Sequence, residues 1–274
     1  MAGERGTAID IDRVTKIFET NGERPVSALE ELSVHIAAGE FLSVVGPSGC
    51  GKSTLMLMTA GLLQPSSGEI RVAGNRLISP LTDVGIVFQD DLLLEFRSAL
   101  DNVLLQGRVR KLDMRQVRQR ADELLEQLGV AHARSRYPRQ LSGGMRQRVS
   151  LARALVHSPS VLLMDEPFGS LDALTRLQVR FDLEQLWRVE RPTVLFITHS
   201  IEEAVGLSDR VLVMSPSPGR IVREIVIDLP RPRPLALGEA PELSALAGRI
   251  YELFEKMGVL HDKGVTPRSE REKP

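Results

Sequence analysis

Along this chain, short near-continuous apolar runs alternate with stretches whose apolar residues recur every three or four positions. Residues 7–11 and 32–36 read as early strands, and Phe41–Val45 is apolar enough for a strand buried on both faces. A helix is predicted over residues 52–60, stopped by Gly61 with Pro65 close behind. Residues 84–88 give another buried strand, and then the pattern changes. Residues 114–128 put Val117, Ala121, Leu124, Leu125 and Leu128 on one helical face, Gly129 ends that helix, and no strand pattern occurs between Asp91 and His157. Strands resume at 161–164, 193–198 and 211–214. Between the first two lies a long helix with one side traced by Leu174, Leu177, Phe181 and Leu186. The pattern predicts an α/β core with a mainly helical subdomain inserted at about residues 91–157. The stretch LPRPRP at residues 229–234 is short of backbone donors and reads as a linker. Residues 243–254 read as one amphipathic helix, and the last ten or so residues as frayed.

Composition narrows the function. The chain has 274 residues with 42% apolar, enough for a sizeable core. A formal net charge of −1 lacks the basic surplus that nucleic-acid binding would require. The single cysteine, Cys50, excludes an internal disulfide framework and fits a reducing compartment. The segment MAGERGTAIDID has no apolar core, so no signal peptide is expected there. No apolar run approaches the length of about 18 residues that spanning a bilayer needs. A membrane role would therefore require docking on a spanning partner. His35, His132, His157 and His261 show no ligand spacing, so no structural metal is expected. Arg108, Arg110, Lys111, Arg115, Arg118 and Arg120 read as a solvated helix face.

Two segments carry chemistry. GPSGCGKST (Gly46, Pro47, Ser48, Gly49, Cys50, Gly51, Lys52, Ser53, Thr54) fits G-x-x-x-x-G-K-[ST] and sits between a predicted strand and a predicted helix. Its glycines let backbone N–H groups turn inward around phosphate oxygens, and the helix start directs its positive end at them. Lys52 can reach the β- and γ-phosphates of ATP, and Ser53 offers a hydroxyl to Mg²⁺. Cys50 is assigned no chemical role, and its thiol is expected near bound ATP. The second segment, VLLMDEP, is an apolar strand running into two acids at the strand end, where open α/β sheets bind ligands. Asp165 is placed to hold Mg²⁺ through water, and Glu166 to act as general base on the attacking water.

A third segment gives the family. LSGGMRQRV resembles the signature sequence of ATP-binding-cassette (ABC) ATPases. Ser142 reads as an N-cap, with Gly143 and Gly144 opening a helix whose apolar face includes Val149, Ala152, Leu155 and Val156. Bare amides and a hydroxyl there make a second anion site. The resemblance covers about residues 7–234 and is carried further by YPRQLSGGMRQRV, LLMDEPFGSLDALTR and SPSPGRIV, which are most similar to the nitrate/sulfonate/taurine importer ATPases. It implies a P-loop NTPase core with a mainly parallel sheet and an N-terminal antiparallel β region, while the amphipathic pattern beyond Pro234 gives a C-terminal helical tail at 235–274. Gln89 resembles the Q-loop glutamine, a sensor of Mg²⁺-ATP. Ser170, Leu171 and Asp172 resemble the D-loop. His199 resembles the switch histidine that touches the γ-phosphate, and Phe18 the aromatic that stacks on adenine. The chain departs from the pattern at Phe96, where relatives often carry Trp, in a segment that faces the membrane partner in the family.

The implied activity is ATP hydrolysis by a head-to-tail pair. Each ATP lies between Gly46–Thr54 of one copy and Ser142–Gly144 of the other. Implied partners are integral membrane permease subunits and, indirectly, an extracytoplasmic solute-binding protein, with the chain peripheral at the cytoplasmic face. Two other readings stay open. A soluble mechanochemical ABC ATPase would usually carry two cassettes or a long coiled coil, and one motif set with no long heptad run is present. A regulatory module that holds ATP without hydrolysing it would not need Glu166 and His199.

Overall fold

The computed structural model describes residues 5–19, 24–234 and 240–260. Its strands are β1 (Ile9–Phe18), β2 (Val26–Ile36), β3 (Phe41–Val45), β4 (Ser67–Val72), β5 (Asn75–Arg76), β6 (Val84–Val87), β7 (Val161–Asp165), β8 (Thr193–Thr198), β9 (Arg210–Met214) and β10 (Ile221–Val226). They form a four-stranded sheet ordered β2-β1-β4-β5 and a six-stranded sheet ordered β10-β9-β3-β8-β7-β6. The first is antiparallel throughout. The second is parallel except at its β10–β9 edge. β3 and β8 are buried along their whole length, the expected state of central parallel strands covered on both faces.

Register decides where the chemistry goes. Val45 pairs with Thr198, Asp165 with Ile197, and Val87 with Met164. The carboxyl ends of four neighbouring strands are therefore level. The loop after β3, His199 after β8, Glu166 after β7 and Gln89 two residues past β6 follow one another along a single sheet edge.

The helices are α1 (Lys52–Thr59), α2 (Ala99–Val109), α3 (Met114–Gln127), α4 (Gly143–Leu155), α5 (Ala173–Glu190), α6 (Ile201–Leu207) and α7 (Pro241–Lys256). Between β6 and β7 the regular elements are all helical, as the sequence predicts. Asp113 caps α3 by accepting from the Arg115 amide at 2.9 Å, and α3 buries the predicted stripe of Val117, Ala121, Leu124 and Leu125. α7 buries Leu243, Ala247, Ile250 and Phe254 in one core with Ile201, Ala204 and Val205 of α6. The frayed-end expectation and His261 fall outside the described residues.

Two expectations are corrected. Leu174 does not lie on the buried side of α5, being 79% exposed. The buried seam is Val179, Leu183, Leu186 and Trp187, with Arg180, Glu184 and Glu190 buried among them. LPRPRP is not a free linker. Arg231 pairs with Glu184 at 3.2 Å and Asp209 at 2.8 Å, and its guanidinium lies 4.4 Å from the Trp187 ring centroid. Arg233, 5% exposed, donates to the carbonyls of Val205, Ser208 and Ile227. The prolines remove donors, and the arginines supply replacements that strap the segment to α6 and its neighbours. The basic cluster is likewise partly engaged: Arg110 donates to the carbonyls of Thr82 and Val84, and Arg120 pairs with Glu190.

His157 closes the helical insert against β6. Its Nε2 donates to the Val84 carbonyl at 3.1 Å. Burial, and secondarily the nearby Arg110, hold its pKa down at about 4, against an ordinary 6.5. The unfolded chain therefore binds the proton first as pH falls. Stability from this residue is intact above pH 6.5 and is lost progressively down to about pH 4, by up to about 3 kcal/mol. Urea titrations of His157→Gln are expected to show a flatter dependence of unfolding free energy over that window than the wild type.

Candidate active site

The loop after β3 is built for an anion. Gly51 caps α1 at φ 95°, where a Cβ would come within 2.6 Å of Leu29 and 2.8 Å of the Ala28 carbonyl. No side chain caps α1, so its first-turn amides remain available to a ligand. Gly49 has φ 77° and open space where a Cβ would be, so its backbone faces a ligand without obstruction. Lys52 is buried, its Nζ donating to the carbonyls of Gly46 at 2.9 Å and Pro47 at 3.0 Å. A recess of about 500 Å³ gathers this loop with Phe18 of β1, Gln89 and Glu166. Phe18 is 40% exposed on its wall, with Lys16 Nζ 5.1 Å from the ring centroid.

Cys50 is the exception within the loop. Its side chain is fully buried among Leu29, Leu55 and Met214 of the core, and burial pushes the thiol pKa up. The thiol does not line the recess, and its Sγ lies 3.9 Å from Lys52 Nζ, the group expected to meet phosphate.

The acids occupy different surroundings although they are adjacent. Burial raises the Asp165 pKa, the Ser53 hydroxyl opposes this by hydrogen bonding, and Glu166 adds to it. A carboxylate joined to a hydroxyl and crowded by a second carboxylate is a hard-oxygen set that suits a divalent cation. Glu166 has φ 43°, uncommon for a residue with a Cβ and a strain of about 1–3 kcal/mol. Its amide donates to the Ile197 carbonyl at 2.8 Å, which pins that conformation. The left-handed turn separates Glu166 from the line of β7 and brings its Oε2 to 3.0 Å from His199 Nδ1. Gln89 joins them: a Cβ built on Gly169 would lie 3.9 Å from Glu166 Oε2 and 4.0 Å from Gln89 Nε2.

The remaining candidates stand apart. Ser142 caps α4, its Oγ accepting from the Met145 amide at 3.3 Å, and it is exposed. Gly144 is fixed by packing, since a Cβ would come within 2.4 Å of Thr175 Cγ2. None of Ser142, Gly143 and Gly144 lines the recess that holds the loop, Gln89 and Glu166.

Sequence reasoning missed the groups that tie these pieces together. Asp91 accepts from Arg146 Nε at 2.8 Å, and Arg153 donates to the carbonyls of Asp91 and Leu92 at 2.7 Å each. The segment after Gln89 is thereby clamped to α4. Buried Asn102 accepts from the Leu94 amide at 2.8 Å and donates to the carbonyls of Leu94, Arg97 and Ser98, fixing the turn that leaves Phe96 74% exposed. Only Asn102 carried a signal, as a polar residue on the apolar side of a helix.

Comparison with known proteins gives the family. The ABC transporter family profile matches residues 29–169. An uncharacterised ABC transporter ATP-binding protein of Methanocaldococcus jannaschii is 43% identical over 225 residues, covering 82% of this chain and 84% of the relative. A taurine import ATP-binding protein of Rhizobium johnstonii is 43% identical over 254 residues, covering 92% and 96%. Among solved structures, a dimeric bacterial ABC transporter cassette superposes with a TM-score of 0.72 at 32% identity, covering 81% of this chain and 99% of that one. With its phosphate loop, acidic strand end and signature turn on one scaffold, the chain belongs to the ABC transporter family and is one of its ATP-hydrolysing cassettes.

Proposed function

We propose that this chain powers import of a small solute of the taurine, nitrate or sulfonate class through a separate membrane-spanning permease, working as a head-to-tail pair of copies. The observation that carries the pairing is the separation of the two anion-binding helix starts. One recess contains Lys52, Gln89 and Glu166, and the exposed turn at Ser142 lies outside it. A γ-phosphate held on one side by a single copy leaves the second helix start for the neighbour's nucleotide. The similar cassette described as dimeric supports this arrangement, and the taurine import relatives support the transport role.

The residues divide the work. Lys52 and the α1 amides neutralise the β- and γ-phosphates. Phe18 stacks on the base. Glu166 takes the proton of the attacking water, and His199, 3.0 Å from its Oε2, holds that carboxylate and the terminal phosphate in register. Ser53 and Asp165, with Gln89, would hold Mg²⁺, which when bound would neutralise phosphate charge. Hydrolysis removes the charge shared by two copies and lets the pair open.

Residues 1–234 are the ATP-binding domain in this reading, with 91–157 as the lever and α7 (Pro241–Lys256) in the tail beyond. The Asp91–Arg146 pair at 2.8 Å makes the segment after Gln89 and the signature helix move together. In this reading the chain is peripheral at the cytoplasmic face; among the described residues no helix is long and apolar enough to cross a membrane. Ser142→Arg tests the composite site. It is expected to abolish ATP-dependent dimerisation and turnover while leaving ATP affinity of the isolated copy intact. Normal turnover by this variant contradicts the pairing.

A further inference from the structure

We infer that Glu203 is a positioning residue for His199, holding the residues on both sides of it and linking them through Arg176 to the turn that precedes α5. The inference rests on the reading of His199 as a γ-phosphate contact. Glu203 is only 6% exposed, and a buried carboxylate is costly unless specific partners compensate it. Its Oε2 accepts from Thr198 Oγ1 at 2.6 Å. Thr198 Oγ1 accepts in turn from the Ser200 amide at 3.0 Å, and Ser200 Oγ accepts from the Glu203 amide at 3.2 Å. These bonds close around the His199 peptide, so the ring of His199 starts from a fixed backbone.

The second carboxylate oxygen reaches the other side of the site. Glu203 Oε1 lies 3.8 Å from Arg176 Nε, and Arg176 donates to the Leu171 carbonyl at 2.9 Å. Arg180 is the other charged group acting on this carboxylate from α5. Burial raises the Glu203 pKa, while the Thr198 hydroxyl and then Arg176 oppose it. Packing alone gives no reason for an acid here. The other buried side chains of α6, Ile201, Ala204, Val205 and Leu207, are apolar. An acid that instead bonds the residue before the histidine and faces Arg176, which holds the Leu171 carbonyl, fits a role in keeping the two loops in register.

The test compares wild type, Glu203→Gln and Thr198→Val, each alone and combined with His199→Ala. It measures Mg-ATP hydrolysis and the His199 imidazole NMR resonances of the nucleotide-free protein. Each single variant is expected to lower kcat about 10- to 100-fold with KM for ATP unchanged, and to shift or broaden the His199 resonances. Neither should lower kcat further once His199 is alanine. Unmoved His199 resonances, or a full additional loss of kcat in the His199→Ala background, overturn the inference. Should His199→Ala alone keep wild-type kcat, the γ-phosphate assignment fails instead, and the resonances still decide whether Glu203 positions the ring. Thr198→Val removes the hydroxyl without touching the buried charge, and it carries the test if Glu203→Gln does not fold.

Discussion

Glu166→Gln is expected to lower kcat by about 10²- to 10⁴-fold while ATP binding persists and the ATP-bound pair becomes long-lived. The substitution keeps side-chain volume and one carbonyl oxygen, so the contact with His199 Nδ1, 3.0 Å away in the wild type, can survive. What is lost is the ability to take a proton. The strained φ of 43° at this position is held by the amide bond to Ile197, which the substitution does not touch. The variant should therefore fold, bind and pair, and stop before hydrolysis. Single-turnover phosphate release and size-exclusion chromatography in Mg-ATP measure the two halves of this expectation. Wild-type turnover would remove Glu166 from the role of base.

Lys52→Ala is expected to weaken ATP binding about 10- to 100-fold, the loss of one charge-assisted contact worth about 1.5–3 kcal/mol. The lysine has a second duty. Its Nζ donates to the carbonyls of Gly46 and Pro47 at 2.9 and 3.0 Å, so the group proposed to meet phosphate also closes the loop on itself. Removing it should penalise ATP more than AMP, because AMP lacks the β- and γ-phosphates. Isothermal titration with both nucleotides separates the phosphate contact from a general loosening of the loop. Equal losses for the two ligands would mean that the loop had simply lost its shape.

The central sheet was legible because burial on both faces leaves little room for polar residues. Phe41–Val45 and Thr193–Thr198 announce themselves in this way, and both are fully buried strands. Strands exposed on one face carried a weaker signal. β4 and β10 were not anticipated, and β1 runs on to Phe18, well beyond the predicted residues 7–11. In β4, Gly68 at φ 76° and alternating polar residues obscure the pattern. The α5 seam was misplaced because Arg180 and Glu184 are buried beside Val179 and Leu183, and charge at a core position breaks any apolar period. LPRPRP misled for a related reason. The partners of its arginines, Glu184, Asp209 and the Val205 carbonyl, are remote in sequence.

At the site, motif spacing named the phosphate loop, the acids and the signature turn, because each needs its residues at fixed local intervals. Distances between motifs were another matter. That Glu166 meets His199, that Asp165 meets the Ser53 hydroxyl, and that the Cys50 thiol turns inward all depend on sheet order and register. Strand order β3-β8-β7-β6 brings together loops separated by more than a hundred residues, and no local pattern encodes that order.

The structure of the Glu166→Gln variant with Mg-ATP is the most direct measurement. Two copies are expected to face each other, with Ser142 Oγ and the Gly143 and Gly144 amides of one within hydrogen-bond reach of the γ-phosphate held by Lys52 of the other. A nucleotide-loaded variant whose signature turn faces solvent, with no second copy opposite, would contradict the account.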